Sequence, residues 1–110
     1  MAGYYELKKS SDGQFMFNLK AGNNETILTS ERYTVKISAQ NGIKAVQNNC
    51  TNESRYDRRK SSSNELYFVL KAVNGEIIGR SEMYSSATAM ENGIASVKVN
   101  GTTTIIKDNA

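Results

Sequence analysis

Displaced by 51 positions, this chain falls on its own pattern. Leu19-Lys20-Ala21 meets Leu70-Lys71-Ala72, Ser30-Glu31-Arg32-Tyr33 meets Ser81-Glu82-Met83-Tyr84, and Asn41-Gly42-Ile43 meets Asn92-Gly93-Ile94. Residues 5–50 align on 56–101 without a gap, and 19 of the 46 positions are identical. A duplication on this scale constrains architecture before any single residue does, because two copies of one unit should share one local fold. The chain therefore reads as one domain over 1–110, with repeat one at about 3–52 and repeat two at about 54–108.

Each unit begins with strands. Tyr5 to Lys9 is a candidate first strand, ended by Ser10-Ser11-Asp12-Gly13, whose Asp-Gly favours a hairpin turn. Phe15, Phe17, Leu19 and Ala21 then alternate with Met16, Asn18 and Lys20, a period of two that describes a half-buried strand, and Leu66, Phe68, Leu70 and Ala72 are the matching set in the second copy. Asn23-Asn24 and Asn74-Gly75 supply residues that tolerate a positive φ at the next turn. Third strands are expected from about Thr26 to Glu31 and from about Ile77 to Glu82.

The segment that follows has two readings in the first copy. Val35 to Val46 could form a hairpin around Asn41-Gly42, or a helix with Ala39, Ile43 and Val46 on one stripe. The second copy, Ser85-Ser86-Ala87-Thr88-Ala89-Met90-Glu91, is rich in helix formers behind capping serines, so the helix is expected in both. Thr34 and Ser85 are the expected N-caps. A glycine inside a helix costs about 1 kcal/mol against alanine. Gly42 and Gly93 are therefore read as places where each helix approaches its neighbours closely, and Tyr33 and Tyr84 as wedges between helix and sheet. Glu53 to Lys60 opens the second unit, and a last strand is expected at Thr102–Lys107. The fold class is α+β: two tandem βββα(β) repeats forming one mainly antiparallel sheet, both helices on one face, with a pseudo-two-fold axis.

Composition closes several function classes. Histidine is absent and Cys50 is the one cysteine, which removes histidine-dependent nucleophile pairs, histidine metal sites and four-cysteine cages. No glycine spacing matches a phosphate loop. No cofactor is called for. The lone cysteine needs no oxidising compartment and no apolar run approaches a membrane span, so a cytoplasmic chain with no membrane partner is expected. Cys50 closes the first helix where Gly101 closes the second, and is read as a spacer.

The tandem pattern of Tyr5-Glu6-Leu7, Phe17-x-Leu19-Lys20-Ala21, Ser30-Glu31-x-Tyr33 and Asn41-Gly42-Ile43-x-x-Val46 resembles the YegP-like family of uncharacterised proteins over nearly the whole chain. The resemblance implies a β3-α-β unit used twice, with the last strand of each unit exchanged between halves, and single-repeat relatives that would have to pair. It brings no activity, cofactor or catalytic residue.

Three functions remain open. A net charge of +3, the run Arg55-Tyr56-Asp57-Arg58-Arg59-Lys60, and outward Lys20, Lys71 and Tyr67 describe a basic, partly aromatic sheet face. Such a face, with Arg55 and Arg59, suits weak single-stranded nucleic-acid binding, or is simply solvated. Met16, Leu28, Val69 and Ile77 add apolar character there, as a surface for a protein or small ligand would require. Glu31 and Glu82, at equivalent strand ends, could meet across the axis as a carboxylate pair for metal-assisted chemistry, or serve as carboxylates near helix N-termini. A non-enzymatic binding module is the leading reading, nucleic acid the alternative and the carboxylate enzyme the third. A monomer and a homodimer both fit. Arg58 stands where repeat one has Leu7, which predicts a less covered strand in the second unit.

Overall fold

The computed structural model describes residues 3–110. Repeat one folds as β1 (Tyr4–Lys9), β2 (Phe15–Lys20), β3 (Thr26–Ser30) and α1 (Lys36–Asn49). Repeat two follows as β4 (Tyr56–Lys60), β5 (Leu66–Lys71), β6 (Ile77–Arg80) and α2 (Ala87–Asn100), with β7 (Ile106–Asn109) after it. The seven strands form one sheet in the order β4-β5-β6-β3-β2-β1-β7. All pairings are antiparallel except β1 with β7. The halves meet where β3 pairs β6, Thr29 opposite Arg80 and Ser30 opposite Gly79, and there the pseudo-two-fold axis passes.

The duplication is visible in the turns. Gly13 and Asn64, then Asn24 and Gly75, are 51 apart and carry φ between 66° and 85°, the left-handed conformation that Gly and Asn tolerate. A register shift recurs too, between Leu19 and Lys20 and between Leu70 and Lys71. Beside the first shift both Ile27 and Leu28 enter the core, although neighbours in a regular strand point to opposite faces. Leu28, expected on the open face, is thus fully buried: it pairs with Leu19, an inward residue.

Both helices lie on one face. Ala39, Gly42, Ile43 and Val46 of α1, and Met90, Gly93, Ile94 and Val97 of α2, are buried against one core with Tyr5, Leu7, Phe17, Leu19, Phe68 and Leu70. Burying a side chain of this kind stabilises the fold by about 1.5–3 kcal/mol. The hairpin reading of 35–46 is excluded. A Cβ on Gly42 would stand 2.6 Å from the Tyr33 hydroxyl and 2.9 Å from the Phe17 ring, and one on Gly93 would collide with the Tyr84 hydroxyl. The missing side chain accommodates the tyrosine wedge in each half. Tyr33 is fixed there by two main-chain bonds with Phe15, and Tyr84 by two with Leu66.

Several boundaries differ from the sequence reading. The helices begin one residue later, with N-caps Val35 and Ser86 rather than Thr34 and Ser85. Ser86 accepts from the Ala89 N–H at 3.1 Å, whereas Val35 has no side chain able to cap. The third strands stop at Ser30 and Arg80, because the chain turns away to bring Tyr33 and Tyr84 under the helices. Glu53–Arg55 is a 3-10 turn, with Asn52 accepting from the Ser54 N–H, so the strand starts at Tyr56. The last strand is Ile106–Asn109 rather than Thr102–Lys107; Thr103 instead caps the end of α2 and donates from its hydroxyl to the Gly3 carbonyl.

The strand after each helix does pass to the other half. After α1 the chain enters β4, which pairs β5, and after α2 it enters β7, which pairs β1. Among the described residues no strand occupies the equivalent outer edge of β4. Arg58 accounts for that edge: its guanidinium forms two bonds to Glu91, at 2.5 and 2.8 Å, and pairs with Glu53 at 2.8 Å, where Leu7 is buried in repeat one.

Candidate binding site on the helix-free face

The strands that bury Phe17, Leu19, Phe68 and Leu70 present their alternate residues on the opposite side. One row runs across all seven strands: Asp57, Val69, Arg80, Thr29, Asn18, Glu6 and Lys107. In each half a carboxylate in this row sits between two cations. Glu6 pairs with Lys8 at 3.8 Å and Lys20 at 3.7 Å; Asp57 pairs with Arg59 at 3.0 Å and Lys71 at 3.3 Å. The Arg59 guanidinium, followed by burial and Lys71, sets the Asp57 carboxyl, and the net effect is to hold it below its usual range. Lys107 lies 4.0 Å over the Tyr4 ring, whose hydroxyl donates to Asn24.

A cavity of about 130 Å³ opens on this face in repeat two, lined by Glu31, Arg59, Tyr67, Val69, Ile77 and Arg80. Val69 forms its floor and is 3% exposed although no helix covers it. Arg59 comes from β4, Tyr67 and Val69 from β5, Ile77 and Arg80 from β6, and Glu31 from the end of β3, where its N–H donates to the Ile78 carbonyl. Five lining positions map by the 51-residue offset onto Lys8, Met16, Asn18, Thr26 and Thr29. Repeat one thus keeps the backbone and the Glu6 cluster but lacks the two guanidinium groups, the aromatic ring and the apolar floor. No group of three or more potential metal ligands occurs among the described residues.

Of the residues singled out in the sequence, Arg59, Tyr67 and Glu31 converge on the cavity and Lys71 adjoins it through Asp57. Lys20 occupies the matching place in the other half, on Glu6. Arg55 does not join them: it belongs to the 3-10 turn, and its guanidinium donates to Asn49 at the end of α1 and to Ser54. Glu82 is exposed and outside the cavity lining. Neither helix carries an acidic residue in its own first turn. Arg80 is the site residue the sequence reading missed. The available signal was divergence between copies, since Arg80 replaces Thr29 and Ile77 replaces Thr26. Cys50 is fully buried, burial raises its thiol pKa, and its Sγ occupies the space a Cβ on Gly101 would need.

The class defined by this geometry is a duplicated α+β domain with one sheet, two helices on one face, and an asymmetric cleft on the other. The chain belongs to the family described as Domain of unknown function (DUF1508), whose profile matches twice, at residues 10–57 and 61–108. It is 58% identical to the UPF0339 protein YegP of Escherichia coli K12 over 109 residues, covering 99% of each chain. It is 57% identical to a UPF0339 protein of Shewanella oneidensis, covering 98% of each. The solution NMR structure of E. coli yegP, described as a protein of unknown function, matches with a TM-score of 0.94 at 58% identity, over 99% of this chain and 94% of that one. The S. oneidensis protein SO3888 matches with a TM-score of 0.92 at 57% identity, over 98% and 92%. The names of these relatives and structures state no activity.

Proposed function

We propose that this chain is a small non-enzymatic binding module, acting in the cytoplasm, whose working surface is the helix-free face of repeat two. Its ligand carries an anionic group. The observation that supports this is divergence between the copies: core residues such as Phe17, Leu19, Ile43 and Val46 recur as Phe68, Leu70, Ile94 and Val97, while on the helix-free face Arg59, Tyr67, Val69, Ile77 and Arg80 replace smaller or uncharged groups, or a lysine, on one half only. Arginine presents a planar fork suited to carboxylate or phosphate, and a tyrosine ring beside an apolar floor suits a ligand with a compact apolar body. No membrane enters the reading; no helix among the described residues is long and apolar enough to cross one.

Amide-resolved NMR titration with sodium benzoate tests this reading. Saturable shifts at Tyr67, Val69, Ile77 and Arg80, abolished in Arg80→Gln, are expected, with Met16, Asn18 and Thr26 unmoved. Equal response of both halves, or none, overturns the assignment.

Single-stranded nucleic acid is the second reading, favoured by Arg59, Lys71 and Tyr67 on one open face. Against it, Lys20, Lys71 and Arg59 are already paired with Glu6 or Asp57, and the cavity is too small for a nucleotide. Salt-dependent retention of an oligothymidylate would favour it; no retention at low salt removes it. Metal-assisted chemistry on Glu31 and Glu82 has less support, because two guanidinium groups share the Glu31 cavity and repel a divalent cation.

A further inference from the structure

Both carboxylates of the central row are paired, and two charges of the cavity are not. Glu6 and Asp57 are each held by two cations, whereas Glu31 and Arg80 line the same cavity and neither is part of any ion pair within 4.0 Å among the described residues. Opposite charges that share a cleft without meeting leave a gap between them. From this we infer that the cavity takes a small zwitterion, such as a free α-amino acid, whose carboxylate meets Arg80 and whose ammonium meets Glu31. The inference rests on the binding-module reading above and names the ligand class for that site.

Two features favour a zwitterion over a simple anion, and a third bounds its size. A carboxylate ligand satisfies Arg80 but brings a like charge towards Glu31, whereas a ligand with both charges satisfies both groups and adds no net charge. Arg59 is already committed to Asp57 through its Nε and an Nη at 3.0 Å, so one unpaired cation and one unpaired anion remain for the ligand. The size fits as well. An apolar cavity of roughly 150 Å³ accommodates benzene. The space of about 130 Å³ over Val69 and Ile77 therefore admits a group no larger than that, such as the short aliphatic side chain of the ligand, flanked by the Tyr67 ring.

The test is NMR titration of the full chain with L-leucine, with 4-methylpentanoate, which lacks the ammonium, and with 3-methylbutylamine, which lacks the carboxylate. L-leucine is expected to shift Val69, Ile77 and Arg80 saturably, and each single-charge analogue to bind at least tenfold more weakly. Glu31→Gln should weaken leucine at least tenfold without weakening 4-methylpentanoate, and Arg80→Gln should weaken both; melting curves confirm that each variant is folded. Binding of 4-methylpentanoate as tight as that of leucine, or a response to benzoate with none to leucine, overturns the zwitterion and leaves the anion site standing. Silence towards both benzoate and leucine overturns both readings.

Discussion

The hydroxyl of Tyr5 donates a 2.6 Å hydrogen bond to the main-chain carbonyl of Gly101, 96 residues further along the chain. Tyr56 makes the matching bond, also 2.6 Å, to the carbonyl of Cys50. The last carbonyls of an α-helix have no partner within it. Each helix here receives one from the first strand of the other repeat, and burial raises the pKa of both phenols so that they remain donors.

Replacing either tyrosine by phenylalanine removes the donor and leaves a buried carbonyl unsatisfied. Tyr5→Phe and Tyr56→Phe should each lower unfolding free energy by about 1–2 kcal/mol, measured in urea. The two sites touch, since Cys50 Sγ fills the space beside Gly101. The double variant should therefore depart from additivity by at least about 0.5 kcal/mol.

Gly42→Leu forces a branched side chain into space held by Tyr33 and Phe17. Overpacking of a filled core costs about 1–3 kcal/mol, more than the helix propensity gained. Thermal melting should show the loss, and Tyr33→Ala introduced with Gly42→Leu should do less harm than the sum of the two changes, because it empties the contested volume.

Glu53 accepts from Arg58 at 2.8 Å and Lys98 at 2.7 Å, and these bonds pull its carboxyl down to about 2. An unfolded glutamate titrates near about 4.3. The stabilisation from the pair is therefore present above that value and fades as pH falls towards 2. The site is exposed and screened, so the effect is small. Glu53→Gln should melt slightly below the parent at pH 7, and the two curves should converge near pH 2.

Arg58→Leu should restore at β4 the apolar residue that β1 carries as Leu7, without the strand that covers Leu7. An exposed edge with a hydrophobic residue templates pairing with another chain. Sedimentation at rising concentration should show self-association in the variant and less in the parent.

The architecture was legible because the copies could be read against each other. Second-copy residues Ala87 to Glu91 resolved the helix that Val35 to Val46 left ambiguous, and the four positive-φ turns fell at Asn and Gly as the composition of those segments requires. What escaped depended on contacts between distant segments. Leu28 reads as outward by alternation, and only the register shift beside it sends it to the core. Arg55 reads as outward by parity, yet a 3-10 turn delivers its side chain to Asn49. The cavity escaped for a further reason: Glu31 comes from one repeat and Arg59, Tyr67 and Arg80 from the other, and their meeting depends on the β3–β6 pairing, which no local pattern encodes.

The parallel pairing of β7 on β1 ties Ile106–Asn109 to Tyr5–Lys8. On a translating ribosome the first strand emerges early and waits for a neighbour that is made last. Tyr5 likewise has no acceptor until Gly101 has cleared the exit tunnel. Contacts this far apart in sequence form slowly. This domain should thus finish folding only once β7 and Gly101 have both emerged, with its first-made half exposed meanwhile to whatever chaperones attend the nascent chain.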